Sequence, residues 1–164
     1  MTGRAARRRF LPGPGPARAA AAALLAAFLA VWPGVVGAAR VLVLHSYHQG
    51  LAWTDGIQAG INRVLAESGG AHDLDIHYLD MARLGAGKGR EHAVAGFVRH
   101  VAGIPHGRGY DLVMVSDNDA LDAVLRHRET VAPGVPVVFC GVNDFSPDMI
   151  AGQAAVTGVA ETPS

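Results

Sequence analysis

An open, doubly wound α/β sheet is the fold this sequence predicts, and two patterns predict it. Beyond residue 39, short valine- and leucine-rich runs alternate with stretches whose apolar residues recur every three to four positions. Each apolar run also ends abruptly in polar residues, as a parallel strand does when it leaves the carboxyl edge of a sheet wrapped by helices.

Taken in order, the predicted strands are 41–44, 74–79, 112–115, 137–140 and a short 156–159. A helix over about 55–68 carries Ile57, Ile61, Val64 and Leu65 as its apolar stripe, with Thr54 as N-cap and "SGG" (Ser68, Gly69, Gly70) as its stop. A second, about 90–101, turns Val94, Phe97, Val98 and Val101 to one side. The third, about 118–128, carries Leu121, Val124 and Leu125, with Ser116 or Asp117 capping its positive end. "GAGKG", residues 85–89, reads as a flexible loop: its glycine spacing is wrong for a phosphate cradle, and a glycine follows Lys88 where Ser or Thr is needed. There is no internal repeat.

Residues 1–39 have the order of an export signal. Arg4, Arg7, Arg8, Arg9 and Arg18 precede an alanine- and leucine-rich stretch, then Pro33, Gly34 and the small residues "VVGAA", so cleavage is expected after Ala38 or Ala39. An uncleaved anchor is the competing reading, because 19–39 carries no charge; the weak hydrophobicity of alanine and the break at Pro33 argue against it. "RRRFL" also fits a twin-arginine signal. Loss of the leader takes five of the 14 basic residues and none of the 14 acidic ones, leaving a net charge of −5. Such a domain has no electrostatic footprint for nucleic acid. The single cysteine, Cys140, cannot form an internal disulfide and is expected to pack as a small apolar residue.

In doubly wound sheets ligands bind at the carboxyl ends of the strands, beside the switch in strand order. Three stretches have that address: "HSYHQG" after the first strand, "SDND" after the third and "GVND" after the fourth. His45 and His48 are better read as satisfied loop histidines than as a metal pair, since zinc needs three or four ligands and no cysteine or acid lies nearby in sequence. Asp117 and Asp119 have the spacing of a magnesium-binding Asp-x-Asp, but helix capping accounts for both without an ion. Ser46 lacks the Gly-x-Ser-x-Gly elbow of a nucleophile. Trp53 is either helix packing or an aromatic wall for a ligand. What remains is a rim of donors, acceptors and rings (His45, Ser46, Tyr47, Trp53, Asp117, Asn118, Gly141 and Asn143) suited to binding a small polar molecule rather than transforming it. No catalytic residue, metal or cofactor is expected. A sugar, amino acid, nucleobase or polar amide would fit, and no arginine clamp insists on an anion.

"VLVLHSYHQGLAWTDGI", "YLDMAR", "YDLVMVSDNDAL", "VPVVFCGVND" and "VTGVAE", in this order over residues 40–161, resemble the type I periplasmic-binding-protein-like domains of the ABC-transporter substrate-binding family. The similarity is greatest to the version at the extracytoplasmic end of bacterial sensor histidine kinases. The resemblance implies two α/β lobes closing on a ligand, with first-lobe contacts from the loops at Ser46–Tyr47, Asp117–Asn118 and Gly141–Asn143. It implies that "VTGVAE" is where the chain crosses to the second lobe, so residues 162–164 are read as the start of a crossover to a lobe that is missing. The expected function is a periplasmic sensor module feeding a membrane-anchored signalling partner. The alternatives are a soluble component of an ABC importer and, in another class, a magnesium-dependent transferase using Asp117 and Asp119.

Overall fold

The computed structural model describes residues 38–105 and 109–161. Residues 1–37 of the predicted leader (1–39) and the predicted crossover, 162–164, lie outside the described residues, while Ala39 is already the first residue of a strand. Among those described, no helix is long and apolar enough to cross a membrane.

Ten elements follow one another: β1 (Ala39–His45), α1 (Ala52–Glu67), β2 (His72–Tyr78), α2 (Lys88–Ala102), β3 (Leu112–Ser116), α3 (Asp117–Arg126), α4 (Arg128–Val131), β4 (Val137–Val142), a 3-10 turn (Pro147–Ile150) and β5 (Val156–Ala160). The five strands form one sheet in the order β2-β1-β3-β4-β5, and every pairing is parallel. The α/β expectation therefore holds, and the sheet is flanked by helices on both faces.

The alternation of β1 decides which helix goes where. Val41 and Val43 point to one face, where Ile57, Ile61 and Leu65 of α1 cover them with Leu74, Ile76, Leu112 and Met114. Leu42 and Leu44 point to the other face, joined by Val113, Val115, Val137 and Phe139 beneath Phe97 and Val101 of α2 and Leu121 and Val124 of α3. All four residues of the β1 run are at most 2% exposed, which explains why the strand is continuously apolar rather than alternating.

Several boundaries differ from the sequence reading. Val64 is 60% exposed and leaves the α1 stripe. At about 100° per residue Ile57, Ile61 and Leu65 span an arc of about 80°, and Val64 lies about 20° outside the Ile57 edge of that arc and about 100° from Leu65. Helix α1 begins three residues earlier than predicted, with Leu51 at the cap position, so Thr54 is not an N-cap but a first-turn residue, 1% exposed. Helix α2 takes in Lys88 and Gly89, leaving only the start of the 85–89 segment as loop. The predicted third helix is broken at His127, whose φ of −111° and ψ of 29° end α3 and open α4. Strand β2 starts at His72, polar residues being tolerated there because β2 is an edge of the sheet.

At the opposite edge, β5 approaches β4 so closely at Gly158 that a Cβ on it would overlap the carbonyl oxygen of Phe139 and come 2.5 Å from its Cγ. Backbone cannot give way as a side-chain tip can. Gly158→Ala should therefore lower unfolding free energy by about 2 kcal/mol or more in urea denaturation; an unchanged midpoint would mean that β5 does not pack at this separation.

Candidate functional site

The order β2-β1-β3 puts the reversal of strand direction of travel between β1 and β3, whose carboxyl ends carry His45-Ser46 and Ser116-Asp117. His45 pairs with Ser116 in the ladder, and the polar groups beyond them form a buried network. The Ser46 hydroxyl donates to the Ser116 carbonyl at 2.8 Å and accepts the Ala120 amide of α3 at 2.8 Å. The free amide near the start of α3 is thus capped by the serine that follows β1. Ser116, although at the N-cap position, makes no side-chain capping bond; its hydroxyl lies 2.8 Å from His45 Nδ1. This corrects the expectation that Ser116 or Asp117 caps the helix.

His45 Nε2 is 2.8 Å from Gln58 Oε1, and the Gln58 amide nitrogen donates to Asn62 Oδ1 at 2.7 Å. A carbonyl oxygen only accepts, so the His45 proton sits on Nε2 and Ser116 donates to Nδ1. Burial pushes the His45 pKa down, against the opposing pull of Gln58 and Asp55, which keeps the ring neutral. His45 also stacks on Tyr78, with ring centroids 5.2 Å apart. His48 instead places Nδ1 3.1 Å from Asp80 Oδ1. The two histidines are therefore committed to separate protein partners.

Three further predicted residues meet where β3 turns into α3. Asp117 adopts the left-handed conformation, φ 68°, and is 3% exposed. Its Oδ1 accepts from Trp53 Nε1 at 3.1 Å, while Oδ2 is buried without a hydrogen-bond partner among the described residues. Burial raises the Asp117 pKa, with Glu161 and Asp119 adding to the shift and the Trp53 donor opposing it. Gly141, also left-handed at φ 67°, lies under the indole: a Cβ there would stand 3.1 Å from Trp53 Cζ2 and 3.5 Å from Asp117 Oδ1. Gly141 belongs not to a loop, as predicted, but to the end of β4, where the ladder shifts register between Cys140 and Val142. The Trp53 indole nitrogen is bonded to Asp117, and 45% of the residue's surface is exposed.

Asn118 and Asn143 staple the rim. Asn118 Nδ2 donates to the Asn143 carbonyl and its Oδ1 accepts the Asn143 amide, each at 2.9 Å. The Asn118 amide is consequently engaged in structure, and the exposed Asn143 side chain is the freer of the two. Tyr47 packs half-buried against the main core, its hydroxyl pKa raised by burial and by the carboxylates of Asp117 and Asp119. Cys140 is half-buried, with Sγ 3.8 Å from the Val115 carbonyl and its pKa raised by burial.

Two residues of this edge were missed from sequence. Gln58 fixes the His45 tautomer, and Arg90, at the start of α2, holds Asp119 with Nη1 at 3.1 and 3.3 Å from its two oxygens and donates to the Met81 carbonyl from Nη2. An arginine does reach the rim, already paired with a carboxylate. Asp119 is thereby committed to Arg90 while Asp117 is bonded to Trp53, so the two acids considered for magnesium have different partners. Beside the Arg90–Asp119 pair, a groove of about 440 Å³ runs between α2 and α3, lined by Val94, Val98 and Ala123. Compared with protein families, curated proteins and solved structures, the chain gives no match.

Two outcomes follow from this geometry. Ser46→Ala strips a donor and an acceptor from fully buried partners and should cost roughly 2 kcal/mol in urea unfolding, without a change in the shape of the transition; a loss below about 0.5 kcal/mol would refute the capping role. For Asp117 the native pKa lies above the unfolded one, so the unfolded chain loses its proton first and stability falls as pH rises through that interval. Asp117→Asn removes this penalty and tolerates the left-handed backbone, so its melting temperature should exceed the parent's at pH 7, with the gain shrinking as pH falls toward about 4. A gain that is constant with pH would exclude the buried charge as its source.

Proposed function

We propose that this chain is an extracytoplasmic recognition module for a small polar molecule, the first lobe of a type I periplasmic-binding-protein-like domain of the kind that serves sensor histidine kinases. One observation carries the reading: at the carboxyl edge of β3, Asp117 is held buried in a left-handed conformation, its Oδ2 without a hydrogen-bond partner among the described residues, next to a half-exposed indole. Left-handed backbone at a residue other than glycine costs of order 1–3 kcal/mol and concentrates at ligand sites. A carboxylate oxygen accepts hydrogen bonds from hydroxyl or amide groups, and a fixed indole face offers a ring or a sugar a flat apolar wall.

The strand order supports the same assignment, because the site falls at the β1/β3 switch where sheets of this order bind ligands. The basic, apolar and small-residue order of 1–39 supports export to the periplasm. Closure of a second lobe over this edge would then shift the population of a signalling state across the membrane.

Trp32→Phe leaves Trp53 as the sole tryptophan. Titration of that full chain with single sugars, amino acids and nucleobases should produce a saturable change in indole fluorescence for one class. Asp117→Asn should weaken that ligand, by calorimetry, at least about tenfold, or 1.4 kcal/mol. Undiminished affinity in both Asp117→Asn and Asn143→Ala would place the ligand elsewhere.

A further inference from the structure

Away from this rim, one group of side chains takes no part in anything described above. Asp75 and His77 are two residues apart on the edge strand β2 and so share a face of the sheet, the face covered by α2. Leu74 and Ile76 point the other way, into the cluster beneath α1. His100, in the last turn of α2, meets them from above, its ring centroid 4.8 Å from that of His77. One nitrogen from each imidazole and one oxygen of Asp75 lie within 4.8 Å of one another. We propose that Asp75, His77 and His100 form a binding site for a divalent transition-metal ion of the zinc class.

The donor set selects the ion. Two imidazoles and one carboxylate suit zinc, cobalt or nickel, whereas magnesium and calcium prefer oxygen alone. His77 Nε2 is shielded from solvent and lies 2.9 Å from Asp75 Oδ1, an ion-pair contact that a metal ion bound by both would replace. That separation is close to the spacing of about 3.3 Å between two ligands on one tetrahedral zinc with bonds near 2.0 Å. The other carboxylate oxygen is already oriented: Asp75 Oδ2 accepts from the Tyr110 hydroxyl at 2.5 Å, which leaves Oδ1 for the ion. His100 has to draw in by an ångström or so, and its exposed position at the helix end leaves it free to turn.

The surroundings do not oppose a dication. Among the described residues, Arg40 is the cation bordering the cluster's hollow, and its guanidinium is engaged by Asp73 at 3.3 Å and by the Tyr110 ring, 4.9 Å to the centroid. A hollow of about 310 Å³ bordered by Arg40, Asp73, Asp75 and His100 opens beside the cluster, with room for waters to complete the coordination shell. Packing alone offers the competing account, since His77 also meets Phe97 edge-on at 5.5 Å.

Zinc titration of the chelator-stripped full chain, by calorimetry, separates the two. The proposal expects one tight equivalent and a raised melting temperature with zinc. Because His100 is exposed, His100→Ala should leave the metal-free melting temperature unchanged while weakening zinc by more than about tenfold. Tyr110→Phe, which removes only the orienting hydroxyl, should weaken it by about tenfold. Cobalt in place of zinc should give the visible spectrum of nitrogen and oxygen ligation in the parent chain and not in His100→Ala. No zinc uptake by the parent, or undiminished uptake by the His77→Ala/His100→Ala double variant, which would assign binding to the other imidazoles, overturns the site.

Discussion

The polar bond network between the ends of β1 and β3 is what the rest of the edge depends on. Between these strands the chain changes its direction of progress across the sheet, so no loop joins their ends and something else must hold them together. Ser46 does so with a single oxygen, bonding the Ser116 carbonyl and the Ala120 amide, while His45 takes the Ser116 hydroxyl and passes the connection to Gln58 on α1. Four elements (β1, β3, α1 and α3) therefore share one set of hydrogen bonds. Its members are 2% exposed or less apart from Gln58, and a buried polar group left unpaired costs about 1–3 kcal/mol. A network of this kind is stable only when complete, which orients α3 relative to β1 with little freedom.

That rigidity makes the strain at Asp117 sustainable. With Ser116 fixed on one side and α3 capped from outside on the other, the one residue between them takes up the turn and adopts a left-handed backbone. Its carboxyl group is consequently pinned under Trp53, and Gly141 provides the clearance the indole needs. The Asn118–Asn143 exchange then ties the same turn to β4. Residues of the rim thus divide by task. His45, Ser46 and Asn118 are used up in construction, whereas the Trp53 indole and the Asn143 side chain stay exposed and Asp117 lies buried beneath the indole.

Much of the fold was legible in the sequence because burial writes itself into local pattern. The runs at Val41, Val113 and Val137 are apolar throughout since both of their faces are covered, and the spacing of Phe97 and Val101, or of Leu121 and Val124, marks the buried side of a helix. Where burial is partial the pattern misleads, as at Val64, which is apolar yet stands clear of the sheet, and at His72, a polar residue in an edge strand. Capping at Thr54 was misread because a threonine before an apolar stripe looks the same whether it precedes the helix or lies in its first turn.

By itself, then, the sequence determined the parallel α/β architecture, the five strands and the three edge stretches that carry the polar rim, all of which depend on patterns within about twenty residues. Only the tertiary structure decided what each rim residue does. The Ser46–Ala120, His45–Gln58, Arg90–Asp119 and Tyr110–Asp75 contacts join residues 13 to 74 positions apart. Their partners are set by strand register and helix placement, so no local spacing encodes them. The left-handed turn at Asp117 belongs to the same class: aspartate tolerates that conformation, as at Asp80 and Asp144, but its place here is fixed by what is bonded on either side.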